Sequence, residues 1–324
     1  MPSQSKLFFA FILGFLAAGF AWAGVLGFIR DKPVPNAVFT QTIVDAKLNV
    51  AKQTEDEPRI TFIGGSNVLY GIDSRQFSKE TGRPSINFGC AAGMGPELIL
   101  HLIKPHLRKD DIVVLCWEYG QFAYTRSGRV NLTYLNLLFG PQQKFLSDLP
   151  VKERLKLSLS LPASHVRQAI ATSYNPYVNS GIYRCPWTLD PSGNIRSNKM
   201  KTITDEELKS QPLSSLLTET VITKDVNEIL TGFVRYCRTR EVTVLASWPN
   251  TFAHPDYFDN PTVKANLALI TNYWKSLEVA VVGKPEDAML AAELFHDTNY
   301  HLNSKGVAVR TSTLIKNLKP WLAK

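Results

Sequence analysis

Ser66, Asp297 and His301 occur in this chain in an order and setting suited to acyl transfer at a serine. Ser66 sits in Arg59-Ile60-Thr61-Phe62-Ile63-Gly64-Gly65-Ser66-Asn67-Val68-Leu69-Tyr70-Gly71-Ile72-Asp73, an apolar strand pattern that runs through a double glycine into the hydroxyl. Gly-Gly lets the chain turn sharply and leaves the next side chain at the carboxyl end of a strand, where open α/β sheets place ligands. A serine hydroxyl becomes a nucleophile only beside a base. The matching block is Phe295-His296-Asp297-Thr298-Asn299-Tyr300-His301-Leu302-Asn303-Ser304-Lys305-Gly306. There His301 is the expected general base and Asp297 the carboxylate that fixes its tautomer. His296 is the rival imidazole, expected to point away from Asp297. The plainer readings are an N-cap for Ser66 and a turn former for Asp297.

An oxyanion needs preorganised N–H donors. The amide of Ser66 or of Asn67 supplies one as a helix begins. A glycine-rich block, Asn87-Phe88-Gly89-Cys90-Ala91-Ala92-Gly93-Met94-Gly95, follows the second strand pattern and lets backbone approach a substrate. After the third comes Cys116-Trp117-Glu118-Tyr119-Gly120-Gln121-Phe122. Gln121 offers an amide donor, whereas Glu118 donates only when protonated and otherwise pairs with a nearby base. His101, His106 and His165 fall on helical patterns and read as packing or surface residues, while His254 lies in a loop near the site. The sequence shows no metal-ligand spacing, no phosphate loop and no Gly-x-Ser-x-Gly elbow, so neither a metal nor a cofactor is expected. The missing elbow argues against a standard α/β-hydrolase.

The Ser66 block and the His301 block together resemble the SGNH hydrolases, also called the GDSL family. Gly65-Ser66-Asn67 stands where that family often has Asp-Ser-Leu, and Asp297 and His301 are spaced by four where Asp-x-x-His is usual. Tyr300-His301-Leu302-Asn303 followed by Gly306 is similar to the closing segment of SGNH-like proteins that modify cell-surface glycans. The resemblance implies Ser66, Asp297 and His301 as catalytic residues. It also implies a second oxyanion amide from Gly93, with Gly89 as the alternative. The family's third block normally supplies an asparagine, which this chain lacks there.

These residues need a scaffold. A chain of 324 residues with 44% hydrophobic content can bury a large core. Strand patterns at Ile60 to Ile63, Ser85 to Phe88, Asp111 to Trp117, Val242 to Ser247 and Val279 to Val282 alternate with helical ones. The helices are expected at Ser74 to Thr81, Pro96 to Leu107, Asp225 to Arg238, Thr262 to Ser276 and Ser304 to Leu322. Such alternation predicts an α/β fold with a mostly parallel sheet flanked by helices, and the resemblance implies that it is the three-layer open sheet of the SGNH hydrolases, flavodoxin-like in architecture. Residues 58–324 form this domain, with a helical and irregular insertion at about 124–212. Residues 33–57 read as a juxtamembrane connector and 1–32 as a signal anchor.

From Leu7 to Ile29 there is no charged residue, a run long enough to span a bilayer. Ala21-Trp22-Ala23 has the form of a signal-peptidase site, but the apolar run continues to Ile29, which favours an uncleaved anchor with the main domain outside the cytoplasmic membrane. Of the four cysteines, Cys90 and Cys116 read as buried thiols, while Cys185 and Cys237 either stay thiols as well or form the bridge that an exported domain permits. The net charge of +8 is dispersed, which suits an anionic surface and gives no nucleic-acid signature.

The function these expectations compose is an extracytoplasmic serine esterase or O-acyltransferase. Its substrate is an acyl ester, chiefly acetyl, of a cell-surface polysaccharide, a glycan assignment that rests on the resemblance. Two alternatives stand beside it. One is a lipase or lysophospholipase acting on a lipid ester; the other is a catalytically silent SGNH-like partner of a membrane-bound acyltransferase in polysaccharide assembly.

Overall fold

The computed structural model describes residues 4–29, 32, 34–53, 57–126, 131–174, 190, 193–194, 203–209 and 221–322. Cys185 and most of the polar stretch expected between Tyr174 and Lys201 lie outside them. The chain divides into two compact units. Residues 1–41 and 130–184 form the first, 42–129 and 185–324 the second.

The first unit is helical. Helix Gln4–Ile29 is long and apolar enough to cross a membrane, and its side chains are almost all exposed. Helices Leu132–Leu138, Gln143–Asp148, Val151–Leu159 and Ala163–Tyr174 also belong to it. His165 is a packing residue here, its Nδ1 2.7 Å from Asn136 Oδ1, and burial lowers its pKa to about 4. Helix Pro35–Gln53, in the stretch read as a connector, starts at a proline whose missing N–H costs nothing in a first turn.

The second unit has the expected α/β fold. Strands β1 (Ile60–Gly64), β2 (Ser85–Gly89), β3 (Ile112–Cys116), β4 (Thr243–Ser247) and β6 (Ala280–Val282) form a parallel sheet in the order β2-β1-β3-β4-β6. That is the flavodoxin-like order, in which the chain leaves β1 for one side of the sheet and returns as β3 on the other. The near-continuous apolar strands are those of a parallel sheet covered on both faces. On one face Ile60, Phe62, Phe77, Val114, Leu314 and Leu318 pack together, drawing helices Ser74–Thr81 and Ser304–Leu322 onto the sheet. Helices Gly95–Ile103 and Lys224–Arg238 pack against each other and against β1 and β4. A second, two-stranded parallel pair, β5 (Thr251–Phe252) with β7 (Met289–Leu290), was not foreseen.

One expectation is corrected and one open alternative is resolved. The helix after the glycine-rich block ends at Ile103 and passes into a 3₁₀ turn, Lys104–His106, because Pro105 lacks the N–H a continuing helix needs. Cys237 is a free thiol with no exposed surface, on the inward face of helix Lys224–Arg238 beside Phe233 and Val234, where burial raises its pKa to about 12.

The edge that carries the site depends on close backbone approach. A Cβ on Gly89 would lie 2.1 Å from Leu69 N, since the short helix Ser66–Leu69 lies directly on the end of β2. Gly89→Ala should therefore lower stability by about 2 to 3 kcal/mol, read as a fall in the urea midpoint at unchanged slope.

Candidate active site

The register of the sheet brings Ser66 to Glu118. Gly64 of β1 is level with Cys116 of β3, so the residues just beyond each strand emerge side by side at the topological switch point. Ser66 Oγ donates to Glu118 Oε1 at 3.0 Å, and the Asn67 amide donates to the same oxygen at 3.0 Å. The turn fits only because residue 65 is glycine: a Cβ there would stand 2.8 Å from Glu118 Oε1 and 3.0 Å from Ala92 Cβ. Those distances also bring the 3₁₀ turn Ala92–Met94, with half-buried Gly93 at its centre, against the serine turn.

The segment after Ser66 is held from beneath. Asn87, inside β2, donates through Nδ2 to Val68 O at 2.9 Å and to Ile72 O at 2.8 Å. Its Oδ1 accepts from the Gly89 amide and from Lys47 Nζ at 3.0 Å. Lys47 is fully buried; desolvation lowers its pKa to about 7, against the charges of Cys90 and Asp190. Asn67 Nδ2 donates to Cys116 O at 3.0 Å, tying the start of the turn to β3.

The histidine comes from a loop closed at its base. Phe295 and Leu302, both fully buried, form an antiparallel bridge, and the His296 amide donates to His301 O at 2.9 Å. Within the loop Thr298 Oγ1 accepts from the amides of Tyr300 and His301, winding one tight turn. That turn joins residues four apart. His301 Nδ1 lies 2.8 Å from Asp297 Oδ1. Asn303 caps the final helix by accepting from the Lys305 and Gly306 amides, and its Nδ2 donates to Glu293 O and Phe295 O. Gly306 is needed because a Cβ would meet Leu294 O at 2.3 Å. The Asn and Gly of the closing segment are thus the two residues that seat the histidine loop on the helix.

Tyr70 links the two halves. Its ring stacks on the His301 imidazole with centroids 4.2 Å apart, and its amide donates to Ser66 O, one helical turn away. Asn250, beyond β4, donates to Tyr300 O. A Cβ on Gly71 would stand 2.3 Å from the Asn250 carbonyl, so Gly71 lets this bridge pass. Arg310 of the final helix, fully buried, donates to Trp248 O at 2.6 Å and fixes the end of β4.

Electrostatics separates the two carboxylates. Burial works to raise Asp297, but the hydrogen bond and charge of His301, with His296 and the Thr298 amide, hold it below the usual carboxylate range. Glu118 goes the other way. Burial raises its pKa and outweighs the Asn67 amide, the Ser66 hydroxyl, the His301 charge and the Ser66 amide, which all favour the ionised form.

Several sequence expectations change here. His296 does not turn away from Asp297: its Nε2 is 4.0 Å from Asp297 Oδ2, because the backbone bridge to His301 brings both rings around one carboxylate. Gln121 Nε2 donates to Ala92 O at 3.0 Å, bracing the Gly93 turn. Glu118 takes its hydrogen bonds from a hydroxyl and an amide rather than from a base alone. Tyr70, Asn87, Lys47 and Asn250 were not singled out as parts of the site. The one sequence signal among them is an asparagine inside an otherwise apolar five-residue strand, Ser85–Gly89.

No family model and no curated protein matches the chain. Among solved structures it is similar to the YxiM protein of Bacillus subtilis, with a TM-score of 0.36 and 10% identity over 82% of this chain and 57% of that one. It is also similar to a Streptococcus pneumoniae chain provisionally described as a platelet activating factor, with a TM-score of 0.38 and 14% identity over 87% of this chain and 92% of that one. The chain thus spans little more than half the length of YxiM, and neither likeness is close enough to carry an activity across.

Glu118 gives a pH test with a definite sign. A carboxyl group that holds its proton more tightly folded than unfolded makes stability fall as pH rises above the unfolded carboxylate value. Glu118→Gln keeps the acceptor oxygen and removes that loss. Urea midpoints measured from about pH 4 to about pH 8 should show the variant gaining on the parent chain as pH rises. A constant difference across the range contradicts this assignment.

Proposed function

We propose that this chain is a membrane-anchored serine esterase or O-acyltransferase that acts outside the membrane on acyl esters, chiefly acetyl, of a cell-surface polysaccharide. The observation that carries the reading is the Asp297–His301 hydrogen bond, with the His301 ring stacked on Tyr70 one helical turn from Ser66. Asp297 on Nδ1 leaves Nε2 as the imidazole's free acceptor. In the proposed reaction Ser66 Oγ forms a bond to the acyl carbon as His301 takes the hydroxyl proton. The tetrahedral oxygen is held by the Ser66 and Gly93 amides, with Asn67 alongside. His301 then gives its proton to the leaving sugar oxygen, and the acyl group stays on Ser66 until water or another sugar hydroxyl accepts it.

The glycan reading draws on the SGNH resemblance of the closing segment. The location reading draws on helix Gln4–Ile29, and on the rule that long domains translocate largely regardless of flanking charge. One observation favours a second reading, a catalytically silent domain that partners a membrane-bound acyltransferase. Glu118 Oε1 occupies the very donors, the Asn67 amide and the Ser66 turn, that an oxyanion would use.

Two experiments test these readings. Ser66→Ala should abolish labelling by a fluorophosphonate probe and lower hydrolysis of a p-nitrophenyl acetate type ester by at least roughly 10³-fold, with the fold intact by circular dichroism. Hydrolysis unchanged by the substitution sinks the proposed site, and a wild-type chain that neither labels nor hydrolyses supports the silent reading. Separately, the full chain should stay with membranes through carbonate extraction, with its carboxyl terminus open to protease from the extracytoplasmic side. A soluble mature chain beginning at Gly24 would refute the anchor.

A further inference from the structure

Within the first unit lies a cleft of about 450 Å³ that has no part in the site around Ser66. Leu26 and Gly27, at the carboxyl end of the membrane-length helix, form one wall, and Leu146, Val151, Arg154 and Leu155 form much of the other. Two features of that second wall do not suit water. Val151, Leu155 and Leu159 recur every fourth residue along helix Val151–Leu159 and are 61%, 61% and 78% exposed, an aliphatic stripe with no cover among the described residues. Arg154 lines the cleft, and its buried Nε has no hydrogen-bond partner among the described residues.

The position of the cleft says what covers it. Where Gln4–Ile29 spans a bilayer, Leu26 and Gly27 stand near the level of the lipid headgroups, because the apolar run ends at Ile29. The helix facing them then lies at the interface with its aliphatic stripe toward acyl chains, as in-plane amphipathic helices do. Its charges fit an anionic surface: Lys152, Arg154 and Lys156 against Glu153 alone. At that depth a guanidinium whose Nε is unpaired among the described residues is suited to a phosphate oxygen.

We propose that this cleft is a lipid site that takes one anionic phospholipid from the surrounding leaflet. The acyl chain runs along Leu26, Leu146, Val151 and Leu155, and the phosphate sits on Arg154. Gly27 lines the cleft, and a Cβ added there meets nothing within 4 Å, so a larger side chain has room to enter it. The inference rests on the reading of Gln4–Ile29 as a span but on neither reading of Ser66. Carbonate extraction reports the span independently of the measurement below.

The test uses the full chain, purified in a non-ionic detergent and mixed with phosphatidylglycerol or with phosphatidylcholine of identical acyl chains. Native mass spectrometry then counts the lipids that survive removal of the detergent. The wild-type chain should retain one phosphatidylglycerol, at least about fivefold more than phosphatidylcholine, as one additional cation at a headgroup implies. Arg154→Gln should bring phosphatidylglycerol down to the phosphatidylcholine level. Gly27→Leu should lower retention of both lipids, because it fills the cleft while keeping the span apolar. Equal retention of the two lipids by the wild-type chain overturns the proposal. So does phosphatidylglycerol retention that neither substitution changes, and so does displacement of the lipid by inorganic phosphate, which would make Arg154 a site for a soluble anion.

Discussion

The carboxyl edge of the sheet depends on one register. Gly64 ends β1 level with Gly89 of β2 on one side and Cys116 of β3 on the other. Where the chain departs in opposite directions from neighbouring strands a crevice opens at their carboxyl ends, and what emerges there must find partners across it. Ser66 and Glu118 emerge there and bond to each other. The double glycine, the lie of helix Ser66–Leu69 on β2 and the Asn87 staple follow from the same constraint, since a four-residue helix has too few internal bonds to hold itself.

The histidine is placed by a different device. It rides on a loop whose ends are welded by two fully buried apolar residues and whose exit is the cap of the last helix. That helix packs on Ser74–Thr81, where Asp73 N donates to Thr311 Oγ1 at 3.0 Å, so the helix that follows the serine turn also supports the histidine loop. Ser66 and His301 lie far apart in sequence, yet both are referred to one pair of packed helices. The stack of Tyr70 on His301 is the local expression of that arrangement.

What could be read in advance divides by the range of the interaction that decides it. Helices Ser74–Thr81 and Ser304–Leu322 fall where the sequence places them because each carries its own start signal, the side chains of Asp73 and Asn303. The five strands of the main sheet declare themselves as short apolar runs. β5 and β7 could not, since two residues have no period. Among the site residues, the Asp297–His301 contact was legible as a proximity in sequence, though the turn made by Thr298 that closes a four-residue interval was not. Lys47 on Asn87, Arg310 on Trp248 and Tyr70 on His301 are single polar or ring contacts between distant segments, and no local pattern announces them. The state of Cys237, open in the sequence, is settled by packing: the helix period places it among Phe233 and Val234, where it is a buried free thiol.

Glu118 is where the two functional readings meet. An amide and a carboxylate have nearly the same shape, and either can accept from Ser66 and Asn67, but only the amide can also donate. An ionised Glu118 therefore stands in for the oxyanion: it takes the donors, and its charge repels a second negative oxygen placed beside it. A substrate oxygen reaches those donors only if the carboxylate withdraws, whereas a protonated Glu118 keeps its acceptor oxygen in place but no longer repels an oxyanion and can donate its own O–H to it. Burial favours the proton, while the Asn67 amide, the Ser66 hydroxyl and the charge on His301 favour its loss. The last of these matters most for catalysis, because His301 becomes charged when it takes the serine proton, and at that moment it pulls Glu118 toward the ionised form that competes with the oxyanion. A working esterase with this residue must hold Glu118 neutral, or move it aside, through the step in which His301 is cationic; a silent domain has no such requirement and leaves the carboxylate where it is.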